Sequence, residues 1–229
     1  MIDRADVAAL IPSYFEEKNI RDIAGRTRAQ LGTVLVVDDG SLDHTADEAR
    51  AAGAEVIRHE GNEGKGAAIK TGLRALTAKS GVACILVLDG DGQHLPEEIP
   101  HFIAEANRSG AEMIVGNRMG DVAKMPVVRR LTNRTMSWLI GRACGQAIPD
   151  SQCGFRMFRR DLALAFLECP STKYDFESEM LVIAARRGCR IGAAAVSTIY
   201  GEERSKIHPV RDTIRFVKLM ARLRREAVR

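Results

Sequence analysis

The sequence has few aromatic residues and no recognised nucleic-acid-binding motif. Aromatic residues make up 5% of the 229 residues, and there is one tryptophan. Proteins that bind single-stranded nucleic acid use aromatic side chains on which bases stack. The net charge of +4 is only a mild excess. We therefore expect no nucleic-acid partner.

Long apolar runs and paired cysteines are absent as well. No run approaches the roughly 18 apolar residues of a membrane-spanning helix, and the first residues lack the apolar core of a signal peptide. The five cysteines are odd in number and include no Cys-x-x-Cys pair, which disfavours a disulfide framework and a zinc site. These absences predict a cytoplasmic protein with free thiols.

Two common nucleotide-binding motifs are missing. Residues 61–66 are glycine-rich and contain Lys65, but they lack the spacing and the hydroxyl residue of a P-loop. No Gly-x-Gly-x-x-Gly follows the first predicted strand. A P-loop NTPase and a Rossmann dehydrogenase are therefore disfavoured. Taken alone, Lys65 is typical of a solvated surface lysine.

What the sequence contains is an alternation of short apolar strands and helices. The pattern predicts strands at 7–11, 33–37, 55–58, 84–88 and 112–116, with helices at 16–31, 43–52, 67–78 and 96–108. The second half is less regular: it predicts helices at 127–144, 161–168, 176–187 and 209–229, and strands at 153–158 and 191–199. This order predicts a single α/β domain with a Rossmann-like, mainly parallel sheet flanked by helices.

Polar side chains follow several of these strands. Tyr14, Asp38–Asp39, Asp89–Asp91 and Asn117–Arg118 each come after a predicted strand. Ligands of parallel sheets bind outside the carboxyl ends of the strands. We expect these residues to gather at one edge of the sheet.

The pair Asp89 and Asp91 is the strongest chemical signal. In an extended chain, residues two apart point to the same side, so both carboxylates are expected to face one point. They repel each other unless a cation lies between them, and Mg²⁺ or Mn²⁺ would supply it through oxygen ligands. The alternative is that Asp-Gly-Asp-Gly forms only a turn.

An ordered set of motifs covers nearly the whole chain and resembles the family-two inverting glycosyltransferases of the GT-A fold. The second-half motifs are similar to the dolichyl-phosphate and polyprenyl-phosphate sugar synthase branch, which transfers mannose or glucose. One departure is Phe15, which stands where the family usually has Asn. The matching segments are residues 11–17, 37–45, 62–67, 89–94, 116–118, 150–156, 176–179 and 200–207.

The resemblance implies a role for particular residues. Asp39 would accept a hydrogen bond from the nucleobase, Lys65 would lie near the base or ribose, and Arg118 would meet an acceptor phosphate. Arg204 and Lys206 would close over the diphosphate. The nucleoside side of the site would also include Pro12, Tyr14, Glu16 and Asp38, and the metal side Asp89, Gly90, Asp91 and Gln93, of which Asp89, Asp91 and Gln93 would be metal ligands.

The nature of the acceptor determines whether a general base is needed. A phosphate acceptor is already ionised near neutrality and needs cations. A hydroxyl acceptor needs a carboxylate base, for which Asp150, Glu177 and Glu179 are candidates. For Glu177 and Glu179, the alternative is a solvated helix face.

The leading hypothesis is therefore a metal-dependent transfer of a hexose from a nucleotide-diphospho-sugar, of the GDP-mannose or UDP-glucose type, to a polyprenyl phosphate. The alternatives are a hydroxyl acceptor on a glycan, or a nucleotide-sugar-binding protein without turnover. One Asp accepts from the ring N–H of guanine or uracil alike, which leaves the base open.

We expect residues 1–118 to bind the nucleotide-sugar and residues 119–208 to form the acceptor side. Residues 209–229 are predicted to form a basic amphipathic helix that lies at the inner membrane face, although packing of its apolar stripe on the domain is the alternative.

Overall fold

The computed structural model describes residues 1–120, 125, 127–173, 175–197 and 199, with the side chains of 128 and 129 excepted. The strands are β1 (Val7–Ser13), β2 (Thr33–Asp38), β3 (Glu55–Arg58), β4 (Cys84–Val87), β5 (Met113–Asn117), β6 (Arg156–Arg159) and β7 (Ile191–Ala195). The α-helices are α1 (Ile20–Gln30), α2 (Thr45–Ala51), α3 (Lys65–Thr77), α4 (Ile99–Ser109), α5 (Val127–Cys144), α6 (Arg160–Phe166) and α7 (Asp175–Arg186). Short 3₁₀ turns cover Arg4–Asp6 and Pro96–Glu98.

The strands form one seven-stranded sheet in the order β3-β2-β1-β4-β6-β5-β7. All neighbouring pairs are parallel except those of β6, which runs antiparallel to β4 and β5. The predicted α/β fold with a mainly parallel sheet is confirmed. The direction of β6 was not predicted, because a buried strand has the same apolar pattern whichever way it runs.

The sheet centre is buried on both faces, as a parallel sheet requires. Every residue of β1 and β4 is buried. Helix α3 lies so close to β1 that a Cβ at Gly72 would be 2.1 Å from Leu10 Cδ1. The core therefore fixes β1, β4 and α3 against one another, and the residues at their ends are held in place by the same packing.

Pro12 lies inside this central strand without breaking it. β1 pairs with β2 as far as Ser13, but its pairing with β4 ends at Leu10. The Leu10 carbonyl accepts a hydrogen bond from the β4 side, and Pro12 faces the same way because alternate residues do. Its missing N–H therefore costs no ladder hydrogen bond.

Some predicted boundaries differ from those observed. The first helix begins at Ile20 rather than at residue 16, because the Glu16 carbonyl accepts the backbone N–H groups of Asn19 and Ile20 in a turn. The last predicted strand ends at Ala195 instead of residue 199. Helix α5 has the predicted bounds. Among the described residues, no helix combines the length and apolarity needed to cross a membrane.

Candidate active site

The carboxyl ends of β1, β2, β4 and β5 lie at one edge of the sheet because these strands run in the same direction. The polar residues that follow them are therefore brought to one side of the domain. Gly90 illustrates how closely the loops approach there: a Cβ at this position would lie 2.7 Å from Ser13 Oγ. The predicted gathering at one edge is what the structure shows.

Lys65 joins two carboxylates at the centre of this edge. Its Nζ lies 2.7 Å from Asp89 Oδ1 and 3.1 Å from Glu177 Oε1. The side chain of Lys65 is 16% exposed, so it is not the solvated surface lysine of the alternative interpretation. Gly154 forms the floor beneath the pair, since a Cβ there would be 2.6 Å from Asp89 Oδ2 and 3.2 Å from Glu177 Oε1.

The pKa values in this cluster are displaced in opposite directions. Burial acts to raise the pKa of Asp89, but the charge of Lys65 outweighs it and holds that pKa below its usual range. Burial, together with repulsion from Asp89, raises the pKa of Asp91 to about 6. Burial acts to lower the pKa of Lys65, yet Asp89 and Glu177 raise it above its ordinary value. Of the two aspartates, Asp91 is therefore the less compensated, since the charge of Lys65 only partly offsets burial and the repulsion from Asp89.

This donor set fits a divalent cation that is shared with substrate. Asp89 and Asp91 present hard oxygen ligands, and the charge of Lys65 compensates Asp91 only in part. Within the described residues, no three His, Cys, Asp or Glu side chains form a complete metal cluster. A cation bound here would complete its shell with phosphate oxygens and water, which is usual for Mg²⁺. Gln93 follows in the same loop, where its backbone N–H donates to Asp91 Oδ1 at 3.0 Å.

His94 lies behind Asp89 and was not assigned a role from the sequence. It is 3% exposed, its Nε2 is 3.9 Å from Asp89 Oδ2, and its ring is 5.2 Å from that of Phe155. Burial lowers the pKa of His94 to about 4, so the imidazole is neutral near pH 7. Its place in the matched segment 89–94 was the only sequence signal.

On the nucleoside side, Asp39 lies where the loops after β2 and β3 meet. Its carboxylate accepts hydrogen bonds from His59 Nδ1 and from the backbone N–H groups of Glu63 and Gly64. The neighbouring Asp38 is fully buried and directs its carboxylate to Ser41 and Arg58. In this structure, Asp38 therefore holds its own turn, and Asp39 joins that turn to the loop after β3.

The loop after β1 contains the other predicted nucleoside contacts. Tyr14 is half-buried, and its ring contacts that of Phe15 edge-on at 4.5 Å. Phe15 is 43% exposed and has a φ of 55°, in the left-handed region that Asn adopts more readily. Glu16 is 7% exposed, and its N–H donates to Thr45 Oγ1. Tyr14 and Phe15 are thus the accessible residues of this loop, whereas Glu16 and Pro12 are buried.

Arg118 and Asp150 form a buried ion pair on the opposite side of the site. Arg118 donates through Nε to Asp150 Oδ2 at 2.7 Å and through Nη2 to Oδ1 at 3.0 Å. Asp150 has no exposed surface and also accepts the backbone N–H groups of Arg118 and Gln152. The four acceptor positions of its carboxylate are thus taken by donors of Arg118 and Gln152.

Glu179 is 2% exposed and accepts the backbone N–H of Ser171. Glu177 is 14% exposed, so the solvated-face alternative is wrong for both. Arg156, which the sequence did not single out, is 1% exposed and donates to the carbonyls of Ser151, Cys153 and Glu177. It therefore ties the loop before β6 to helix α7.

Several predicted features lie outside the described residues. They are Arg204, Lys206, the matched segment 200–207 and the predicted helix 209–229. The division of the chain at residues 118 and 208 also stays a prediction.

Residues 8–165 match the family described as Glycosyl transferase family 2. The chain is a family-2 glycosyltransferase. Among its relatives is the UDP-N-acetylglucosamine–dolichyl-phosphate N-acetylglucosaminyltransferase of Methanococcus voltae, 29% identical over 84% of this chain and 85% of that protein. The undecaprenyl-phosphate mannosyltransferase of Micrococcus luteus is 30% identical over 86% of this chain and 84% of that protein.

Solved structures similar to this glycosyltransferase share its fold. The glucosyl-3-phosphoglycerate synthase of Mycobacterium tuberculosis with UDP has a TM-score of 0.71 at 19% identity, covering 96% of this chain and 80% of that one. The same protein with Mn²⁺, UDP and phosphoglyceric acid gives 0.72 at 18% identity, covering 96% and 78%. These likenesses confirm the GT-A fold.

Proposed function

We propose that this glycosyltransferase moves a hexose from a nucleotide-diphospho-sugar to a polyprenyl or dolichyl phosphate, with inversion at the sugar and with Mg²⁺ or Mn²⁺ as cofactor. The observation that carries the proposal is the cluster of Lys65, Asp89 and Glu177 beside Asp91, whose charge is the less compensated of the two aspartates. Relatives named as polyprenyl-phosphate sugar transferases support the acceptor class.

The residues would divide the work as follows. A cation held by Asp89 and Asp91, with Gln93 in reach, would neutralise the charge that develops on the leaving diphosphate. Asp39 would hold the base against Tyr14. Arg204 and Lys206 would close over the diphosphate, and Arg118, oriented by Asp150, would meet the acceptor phosphate.

The test is transfer from labelled nucleotide-sugars to polyprenyl phosphate in Mg²⁺ or Mn²⁺, followed by organic extraction. We expect label in the organic phase, and loss of that label with EDTA or in Asp91→Ala. The matched control is Asp22→Ala, because Asp22 is 65% exposed on helix α1. Nucleotide-sugar binding without product on any acceptor would instead support a binding protein without turnover.

A hydroxyl acceptor is the second candidate, and Glu177 favours it. This carboxylate lies beside Asp89 at the site, where a general base would be needed. Glu177→Gln keeps the shape and removes the base. On a phosphate acceptor we expect the variant to keep most of its turnover, because no base is required. On a hydroxyl acceptor we expect a loss of about 100-fold or more.

A polyprenyl-phosphate acceptor is anchored in a membrane, so the enzyme would meet it at the membrane surface. We therefore propose a peripheral location at the cytoplasmic face, with residues 209–229 as the contact. Their basic residues would meet anionic headgroups. Sedimentation with anionic liposomes at low salt tests this: no binding of the full chain contradicts it, whereas truncation before residue 209 is expected to abolish binding.

A further inference from the structure

The hydrogen bonds on Asp39 limit what it can still accept. A carboxylate offers about four acceptor positions, two on each oxygen. Oδ1 already receives His59 Nδ1 at 2.8 Å and the Glu63 N–H at 3.0 Å, and Oδ2 receives the Gly64 N–H at 2.8 Å. Within the described residues, one position therefore remains, and it is on Oδ2.

These donors are fixed by the fold. A Cβ at Gly40 would lie 2.5 Å from the carbonyl carbon of Gly61, so the loop after β2 is pressed against the loop after β3. Gly64 caps helix α3 with a φ of 106°, which directs its N–H to Asp39 at the positive end of that helix. Neither backbone donor can leave Asp39 without moving a loop.

His59 is held just as firmly from behind. Its Nε2 lies 2.9 Å from Thr71 Oγ1 on α3, and its side chain is 8% exposed. Because the Asp39 carboxylate accepts from Nδ1, that nitrogen carries a proton, and the Thr71 hydroxyl pairs with Nε2 on the other side of the ring. His59, positioned by Thr71, thus occupies the second position on Oδ1.

We infer that Asp39, held by His59 and Thr71, selects a nucleobase with a single ring N–H between two carbonyls, which is uracil, over guanine. Guanine presents its ring N–H and its amino group side by side and is best matched by both oxygens of a carboxylate. Oδ1 has no position left for the second donor. The Asp39 side chain is only 3% exposed, which also leaves room for one contact. This inference rests on the proposed function and names the donor as a uridine diphospho-sugar.

The test compares the dissociation constants of UDP and GDP in the same concentration of Mg²⁺ by calorimetry. We expect the wild type to bind UDP at least about tenfold more tightly, since an unmatched amino donor leaves a hydrogen bond unmade. His59→Leu removes the donor on Oδ1, so the affinity for GDP is expected to rise relative to that for UDP. The ratio of the GDP dissociation constant to the UDP dissociation constant should fall severalfold. His59→Asn retains an N–H near the position of Nδ1 and is expected to keep the ratio.

A purely structural role for His59 would weaken both nucleotides equally, and an unchanged ratio in His59→Leu would overturn the inference. Thr71→Val, which removes one hydroxyl at constant shape, gives a second measurement if His59→Leu fails to fold. It is expected to lower the ratio less. A wild type that prefers GDP but still transfers sugar refutes the inference alone, whereas binding of neither nucleotide would overturn the proposed function with it.

Discussion

Replacing Lys65 by methionine tests whether one ammonium group holds the two central carboxylates together. The ammonium lies 2.7 Å from Asp89 and 3.1 Å from Glu177, with the three side chains between 14% and 24% exposed. At an effective dielectric constant of about 20, these separations correspond to attractions of about 6 and about 5 kcal/mol before desolvation is subtracted. Removing one partner of such a buried pair typically costs about 3 kcal/mol or more.

We therefore expect Lys65→Met to lower the free energy of unfolding by about 3 kcal/mol, or the melting temperature by roughly 6–12 °C for a domain of this size. The assay is urea unfolding with EDTA present. The control is Lys79→Met, because Lys79 pairs with Glu55 at the surface with side chains 35% and 57% exposed. A loss below about 1 kcal/mol is expected there.

Equal losses in the two variants would refute the reasoning. A double-mutant cycle of Lys65→Met with Glu177→Gln gives a second criterion. The contact predicts a coupling free energy of about 1 kcal/mol or more, and additive losses would show that the 3.1 Å contact does not contribute to stability.

Three further outcomes follow from single contacts. Gly72→Ala should cost about 1–3 kcal/mol of unfolding free energy because its Cβ meets Leu10, whereas Gly25→Ala, with nothing within 4 Å, should gain about 0.5–1 kcal/mol. Glu98→Gln should leave the free energy of unfolding unchanged or raise it. Within the described residues, Oε2 of this buried glutamate has no partner, while Oε1 accepts a backbone N–H. A loss of stability in urea unfolding as large as that of Glu98→Ala would contradict this. Burial acts to raise the pKa of Asp43, but hydrogen bonds at the start of α2 hold that pKa below its ordinary value. The stability it contributes is present above the unfolded pKa and is lost as the pH falls through the folded one. Asp43→Ala should thus cost about 1 kcal/mol at pH 7, and this cost should shrink as the pH falls through the folded pKa, as thermal unfolding over the acid range will show.

Much of the fold followed from local pattern. Short apolar runs ending in Asp or Asn predicted the parallel strands and the edge where their polar residues meet, because the direction of a parallel strand fixes which end carries the ligand. Asp89 and Asp91 could be found this way. The contact between Lys65 and Glu177 could not, since these residues are 112 positions apart and only the packing of α3 and α7 brings them together.

The same distinction applies to the roles of charged residues. Spacing alone left Lys65, Glu177 and Glu179 as candidates for solvated side chains, and it left Asp150 equal to Glu177 as a base. Burial and hydrogen-bond partners distinguish these residues from one another. The Asp150 carboxylate accepts from Arg118, and the Glu179 carboxylate accepts a backbone N–H.

The sequence by itself determined the family, the α/β class and the pair of carboxylates proposed to hold a metal, because these depend on ordered motifs and on neighbours along one strand. Only the tertiary structure decided which carboxylates have a positively charged partner and which hydrogen-bond acceptor positions are already filled. Those properties arise from contacts between distant segments, such as the positions that His59, Glu63 and Gly64 take up on Asp39. A hydrogen-bond acceptor can be recognised from its residue type, but the positions it has left can be counted only when all its neighbours are in place.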